Sequence, residues 1–124
     1  MSEMTESNIT QFQDECNCND QTIICERCQS VVLLPKKAKN AKIEKFLPHM
    51  KKKSEQQEPD DGETLEEFWL VDDMFTFENV GFSNAVDGIK YLVCADCEIG
   101  PIGYHDTKNQ KEFYIAHKRI QYKQ

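Results

Sequence analysis

Two cysteine pairs carry the strongest chemical signal in this 124-residue chain, Cys25-Glu-Arg-Cys28 and Cys94-Ala-Asp-Cys97. A Cys-x-x-Cys bend presents two thiolates from one tight turn, and two such bends complete the tetrahedral set that zinc prefers, with Zn–S bonds of about 2.3 Å. Four protein ligands fill that sphere and leave no open position for water or substrate, so one structural zinc is expected and metal catalysis is not. The 65 residues between Cys28 and Cys94 far exceed the spacer of a compact zinc ribbon, so the ion must join distant parts of one domain. Four unliganded thiols, or a redox dithiol at one pair, are the competing readings. Cys16 and Cys18 stand outside the set and read as free thiols. His49, His105 and His117 are isolated from one another in sequence and read as surface or turn residues. With no Gly-rich phosphate loop, nucleophile elbow or His-Cys pairing in the sequence, catalysis has no carrier.

The elements that must position these cysteines are mostly strands. Thr22-Ile-Ile leads into the first pair and Gln29-Ser-Val-Val-Leu-Leu-Pro35 out of it, so β-branched and aliphatic residues flank a tight turn on both sides. Ile89-Lys-Tyr-Leu-Val93 runs into the second pair in the same way. Phe68-Trp-Leu-Val71 and Met74-Phe-Thr-Phe77 read as two further strands with a turn at Asp72-Asp73, which would put Phe75 and Phe77 on one face. Turns are expected at Gly81, at Val86-Asp87-Gly88 and at Gly100-Pro-Ile-Gly103, and a hairpin tip at Asp106–Gln110. Residues 112–122 read as one closing strand, and the stretch from Lys36 to Phe46 as either a helical turn or a strand edge. The expected architecture is a single, mostly β domain of six to eight antiparallel strands, in which one structural zinc joins the two turns.

Charge and composition set the boundaries. Residues 1–20 carry five acidic groups and no basic one, and read as a disordered acidic tail ahead of a zinc-binding β domain at 21–124. The apolar-free run from Lys51 to Gly62 reads as a surface loop. A net charge of -7 disfavours nucleic acid as a partner. Lys36, Lys37, Lys39, Lys42, Lys45 and Lys51 to Lys53 nevertheless gather eight of the fifteen basic groups in one stretch. The chain shows neither a signal peptide nor an apolar run of transmembrane length, so a soluble, cytosolic protein is expected.

The segments Met74-Phe-Thr-Phe-Glu-Asn-Val-Gly-Phe82 and Cys94-Ala-Asp-Cys-Glu-Ile-Gly-Pro-Ile-Gly103 closely resemble the Rab-interacting factor family, also called the mammalian suppressor of sec-four. With Phe46-Leu-Pro48, Trp69-Leu-Val71, Tyr104-His105 and Phe113-Tyr114, the resemblance spans about residues 22 to 120. It implies an antiparallel fold with one Zn2+ on Cys25, Cys28, Cys94 and Cys97. It implies partners as well, the exocytic Rab GTPases in their nucleotide-free form. A guanine-nucleotide releasing factor of this kind would serve vesicular protein transport, or would act as a holding chaperone, without catalytic side chains. Asp96 matches a position implicated in Rab binding, and Asp73, Met74, Phe75, Phe77, Glu78 and Asn79 match the family's contact surface. The expected species is a cytosolic monomer that reaches membranes through its Rab partners. The rival is an enzyme, a zinc-containing methionine sulfoxide reductase of the B type, which needs a nucleophilic cysteine near the C-terminal strand; none follows Cys97.

Overall fold

The computed structural model describes residues 9–52, 62–83, 85 and 88–123. Their strands are β1 (Thr22–Cys25), β2 (Val31–Leu33), β3 (Lys39–Pro48), β4 (Lys51–Lys52), β5 (Gly62–Val71), β6 (Val80–Phe82), β7 (Ile89–Cys94), β8 (Ile99–Gly100), β9 (Gly103–Asp106), β10 (Phe113–Ala116) and β11 (Ile120–Lys123). All pair antiparallel, in a six-stranded sheet β3-β5-β10-β9-β7-β6, a three-stranded sheet β11-β1-β2 and a two-stranded ribbon β4-β8. The lysine-rich stretch is therefore strand in its second half. It forms the outer edge of the large sheet, where lysines discourage pairing with another chain.

Side-chain alternation explains the layering, because successive residues of a strand point to opposite faces. Along β5 and β10, Trp69, Val71, Phe113 and Ile115 join Ile23, Val32 and Leu33 of the small sheet in the main core. The intervening Phe68, Tyr114 and Ala116 pack with Leu47, Leu65 and Tyr104 in a second cluster. Arg119 ties the ends together: its buried guanidinium donates to the carbonyls of Pro48 (3.0 Å), Pro101 (2.8 Å) and Leu47 (3.4 Å) and meets Glu63 at 3.3 Å.

Several expectations need correction. Met74–Thr76 is a single 3-10 turn rather than a strand, Gly81 lies within β6, and residues 112–122 are divided by a 3-10 turn at His117–Arg119. The described strands outnumber the expected six to eight. His105 and His117 are buried rather than superficial; His105 stacks on Phe113 with ring centroids 4.0 Å apart, and His117 Nδ1 lies 2.6 Å from the Tyr122 hydroxyl. Of the expected loop at 51–62, Lys51 and Lys52 form β4, Gly62 opens β5, and the rest lies outside the described residues, as do Val86 and Asp87.

The N-terminal segment differs most from a disordered tail. Residues 1–8 lie outside the described residues, but Ile9 is fully buried in the main core and Phe12 stacks on Tyr122 at 3.9 Å. Asn19, also fully buried, satisfies its amide on both sides. Its Nδ2 donates to the carbonyls of Gln21 and Leu34 (both 3.0 Å), and its Oδ1 accepts from the backbone N–H groups of Lys37 (3.0 Å) and Ala38 (2.9 Å). Two large apolar residues and one amide outweigh the acidic composition from which disorder was inferred. Ile9→Ala is expected to lower unfolding free energy by about 2–4 kcal/mol, and Asn19→Ala by about 1–3 kcal/mol through the unpaired backbone donors it leaves. Urea denaturation measures both, and unchanged midpoints would return residues 9–20 to a loose tail.

Candidate metal centre and adjoining surface

The two cysteine turns are built alike. β1 delivers Cys25 and β7 delivers Cys94, both buried, each as the last residue of its strand. Four residues on, Gln29 (φ 65°) and Glu98 (φ 60°) adopt the left-handed backbone that non-glycine residues avoid. Their N–H groups close the turns onto the carbonyls of Cys25 (2.9 Å) and Cys94 (2.8 Å). The first turn is further held by Cys25 N–H on the Ser30 carbonyl at 2.9 Å and by Arg27 N–H on Cys25 Sγ at 3.4 Å.

These turns face each other and gather all four sulfurs within 4.8 Å of one another. Cys25 and Cys97 lie 3.7 Å apart and Cys28 and Cys94 3.5 Å apart. A tetrahedron with 2.3 Å metal–sulfur bonds has edges of about 3.8 Å, so the cluster fits one metal ion. Cys16 and Cys18 do not join the group; Asp14 accepts from their backbone N–H groups at 2.8 and 3.0 Å instead. Hydrogen bonding with Ser30 holds the Cys28 thiol down at about 6, whereas burial pushes Cys94 up to about 12 and raises Cys97. At neutral pH a metal must displace the protons of Cys94 and Cys97, so binding weakens as pH falls.

The segment expected to contact a partner is stitched to both turns. Glu78 N–H donates to the Val32 carbonyl (2.9 Å), and Asn79 donates to the Val31 carbonyl from its backbone and from Nδ2 (both 3.1 Å). On the other side, the Asn79 carbonyl accepts from Ala95 N–H at 2.9 Å, inside the second cysteine turn. Just upstream, Asp73 caps the Met74–Thr76 turn, its Oδ1 accepting from Phe75 N–H at 2.8 Å. The turn holds Phe75 out in solvent at 86% exposure and Met74 at 44%. Phe77 is not on the same face. It is buried against Phe82 and Phe113, in the core rather than in solvent beside Phe75.

Asp73, Glu78, Asn79 and Asp96 are exposed, and Asp96 accepts a hydrogen bond from the Ser30 hydroxyl of the first turn. Sequence reasoning did not single out Ser30, whose one signal was its place two residues past Cys28. Arg119 and Asn19 were also missed, since their partners are backbone carbonyls and amides distant in sequence. Among the described residues no helix is long and apolar enough to cross a membrane.

Comparison with known proteins places these features in a wider group. The family model described as Mss4 protein matches residues 18–122. A Drosophila melanogaster relative named guanine nucleotide exchange factor MSS4 homolog is 43% identical over 106 residues, covering 85% of this chain and 86% of its own length. A Schizosaccharomyces pombe relative of the same name is 39% identical over 95 residues, covering 76% of this chain and 90% of its own.

Cys94→Ser is expected to lose the bound metal and most of the cooperative thermal transition, because structural metal binding is folding energy. Metal content by mass spectrometry and calorimetry check this; a metal-free variant that still melts cooperatively would show that the sulfurs are not the tie. In the unmodified protein, apparent metal affinity should fall by at least about tenfold per pH unit on acidification below neutral, as read by competition with a chelator of known proton dependence.

Proposed function

The chain belongs to the Mss4 family, and on that premise we propose that it binds exocytic Rab GTPases in their nucleotide-free form and promotes release of guanine nucleotide, in part as a holding chaperone in vesicular transport. The metal in this reading is one structural zinc, suited to four cysteine sulfurs in a closed tetrahedral set. The protein acts as a cytosolic monomer and meets membranes through its partners.

The observation that carries the proposal is Phe75, a large aromatic 86% exposed on a turn that is capped by Asp73 and continues into the Glu78–Asn79 stitch. Rings held out on a rigid turn lose little entropy on docking, and aromatic anchors supply much of the energy of small interfaces. Met74 extends the apolar spot. Exposed Asp72, Asp73 and Glu78 on the same segment, and Asp96 on the adjoining cysteine turn, add negative charge suited to the cationic, phosphate-binding end of an emptied nucleotide pocket. Exchange then needs no catalytic side chain. It needs tighter binding to the empty GTPase than to the loaded one, and displacement cannot exceed that difference.

Release of fluorescent GDP from a panel of Rab GTPases tests the proposal. At least one Rab should lose nucleotide faster in the presence of this protein and remain with it as a nucleotide-free complex. Phe75→Ala should weaken that capture by roughly tenfold or more with thermal stability unchanged, since the ring is outside the core. A panel without response would overturn the proposal.

A further inference from the structure

The hydroxyl of Ser30 stands between the two cysteine turns. It lies 3.4 Å from Cys28 Sγ and donates to the Asp96 carboxylate, joining residues 66 apart in sequence. We propose that Ser30 is a positioning residue for partner binding: it latches the Asp96 carboxylate in one orientation and presents its remaining lone pairs to a guanidinium or ammonium group of the partner. The proposal rests on the reading of Asp96 as a partner contact.

Three features carry it. Asp96 is exposed, so packing does not fix its side chain, and an unlatched carboxylate would have to be ordered when the partner arrives. Ser30 is half-buried and held, its carbonyl accepting from Cys25 N–H at 2.9 Å, so it offers the donor from a fixed backbone. A carboxylate has about four acceptor sites, and one bond to Ser30 leaves the others open. Since donor and acceptor belong to different turns, the latch closes only when the four sulfurs are together, which makes the orientation of Asp96 report on the metal centre below it.

The test uses the Rab that responds most strongly in the release panel, in nucleotide-free form, with the full chain and its Ser30→Ala, Ser30→Thr, Asp96→Ala and doubly substituted Ser30→Ala/Asp96→Ala variants. Affinity is measured with metal content and thermal midpoint alongside. Ser30→Ala should bind roughly three- to tenfold more weakly with its metal retained, Ser30→Thr should recover most of the loss, and the double variant should bind no more weakly than Asp96→Ala. Full affinity of Ser30→Ala beside a weakened Asp96→Ala would overturn the latch and leave the partner surface standing, as would additive losses in the double variant. Loss of metal from Ser30→Ala would make the hydroxyl part of the metal scaffold and also overturn it. Should Asp96→Ala bind at full strength, the underlying reading of Asp96 fails and the latch falls with it.

Discussion

Four sulfurs within 4.8 Å, two of them fully buried, repel one another as thiolates unless a cation lies between them. The two turns present their sulfurs as a set that such a cation would complete. Because 65 residues separate the inner cysteines, a tie at this point removes chain entropy worth about 4 kcal/mol from the unfolded state on loop-closure arguments. It would also fix the small sheet, through Cys25 at the end of β1, against the large sheet, through Cys94 at the end of β7. The main core lies between those sheets, so an ion held there and the apolar contacts would reinforce one geometry.

Above the tie, the surface is fixed by backbone bonds rather than by side-chain packing. Asn79 receives from one cysteine turn and gives to the strand that leaves the other, and this ties the end of the 73–79 segment to both. Charge is arranged along the large sheet as well. Lysines line the outer edge strand β3, while the second cysteine turn, with Asp96 and Glu98, leaves β7 near the opposite edge. Such a separation would orient an approaching partner that is itself charged.

Legibility in the sequence followed the range of each interaction. The cysteine turns were readable because their chemistry is local and repeated, and Phe68–Val71, Ile89–Val93 and the Asp106–Gln110 hairpin tip because alternation and turn residues are local too. The turn at Met74–Thr76 was misread as a strand: its aromatic residues have strand propensity, and the Asp73 cap that bends them is one hydrogen bond to Phe75 N–H. The same misreading placed Phe77 beside Phe75 instead of in the core. Segment 9–20 was judged on composition, which is blind to a single Ile9 finding the core or to Asn19 satisfying backbone groups 15 to 19 residues away. Arg119 gave no signal in the sequence because its carbonyl partners at Leu47, Pro48 and Pro101 come together only in the finished fold.

The strand that carries the first cysteine turn has an order of assembly written into its pairing. Cys25 sits opposite Ile120, 95 residues later, and Thr22 opposite Lys123. During synthesis the first thiol pair therefore leaves the ribosome long before either its sulfur partners or β11 exists. Throughout that interval it is an open, two-coordinate chelate, available to other metals and to oxidants. A reducing environment would keep those two thiols open until their partners emerge.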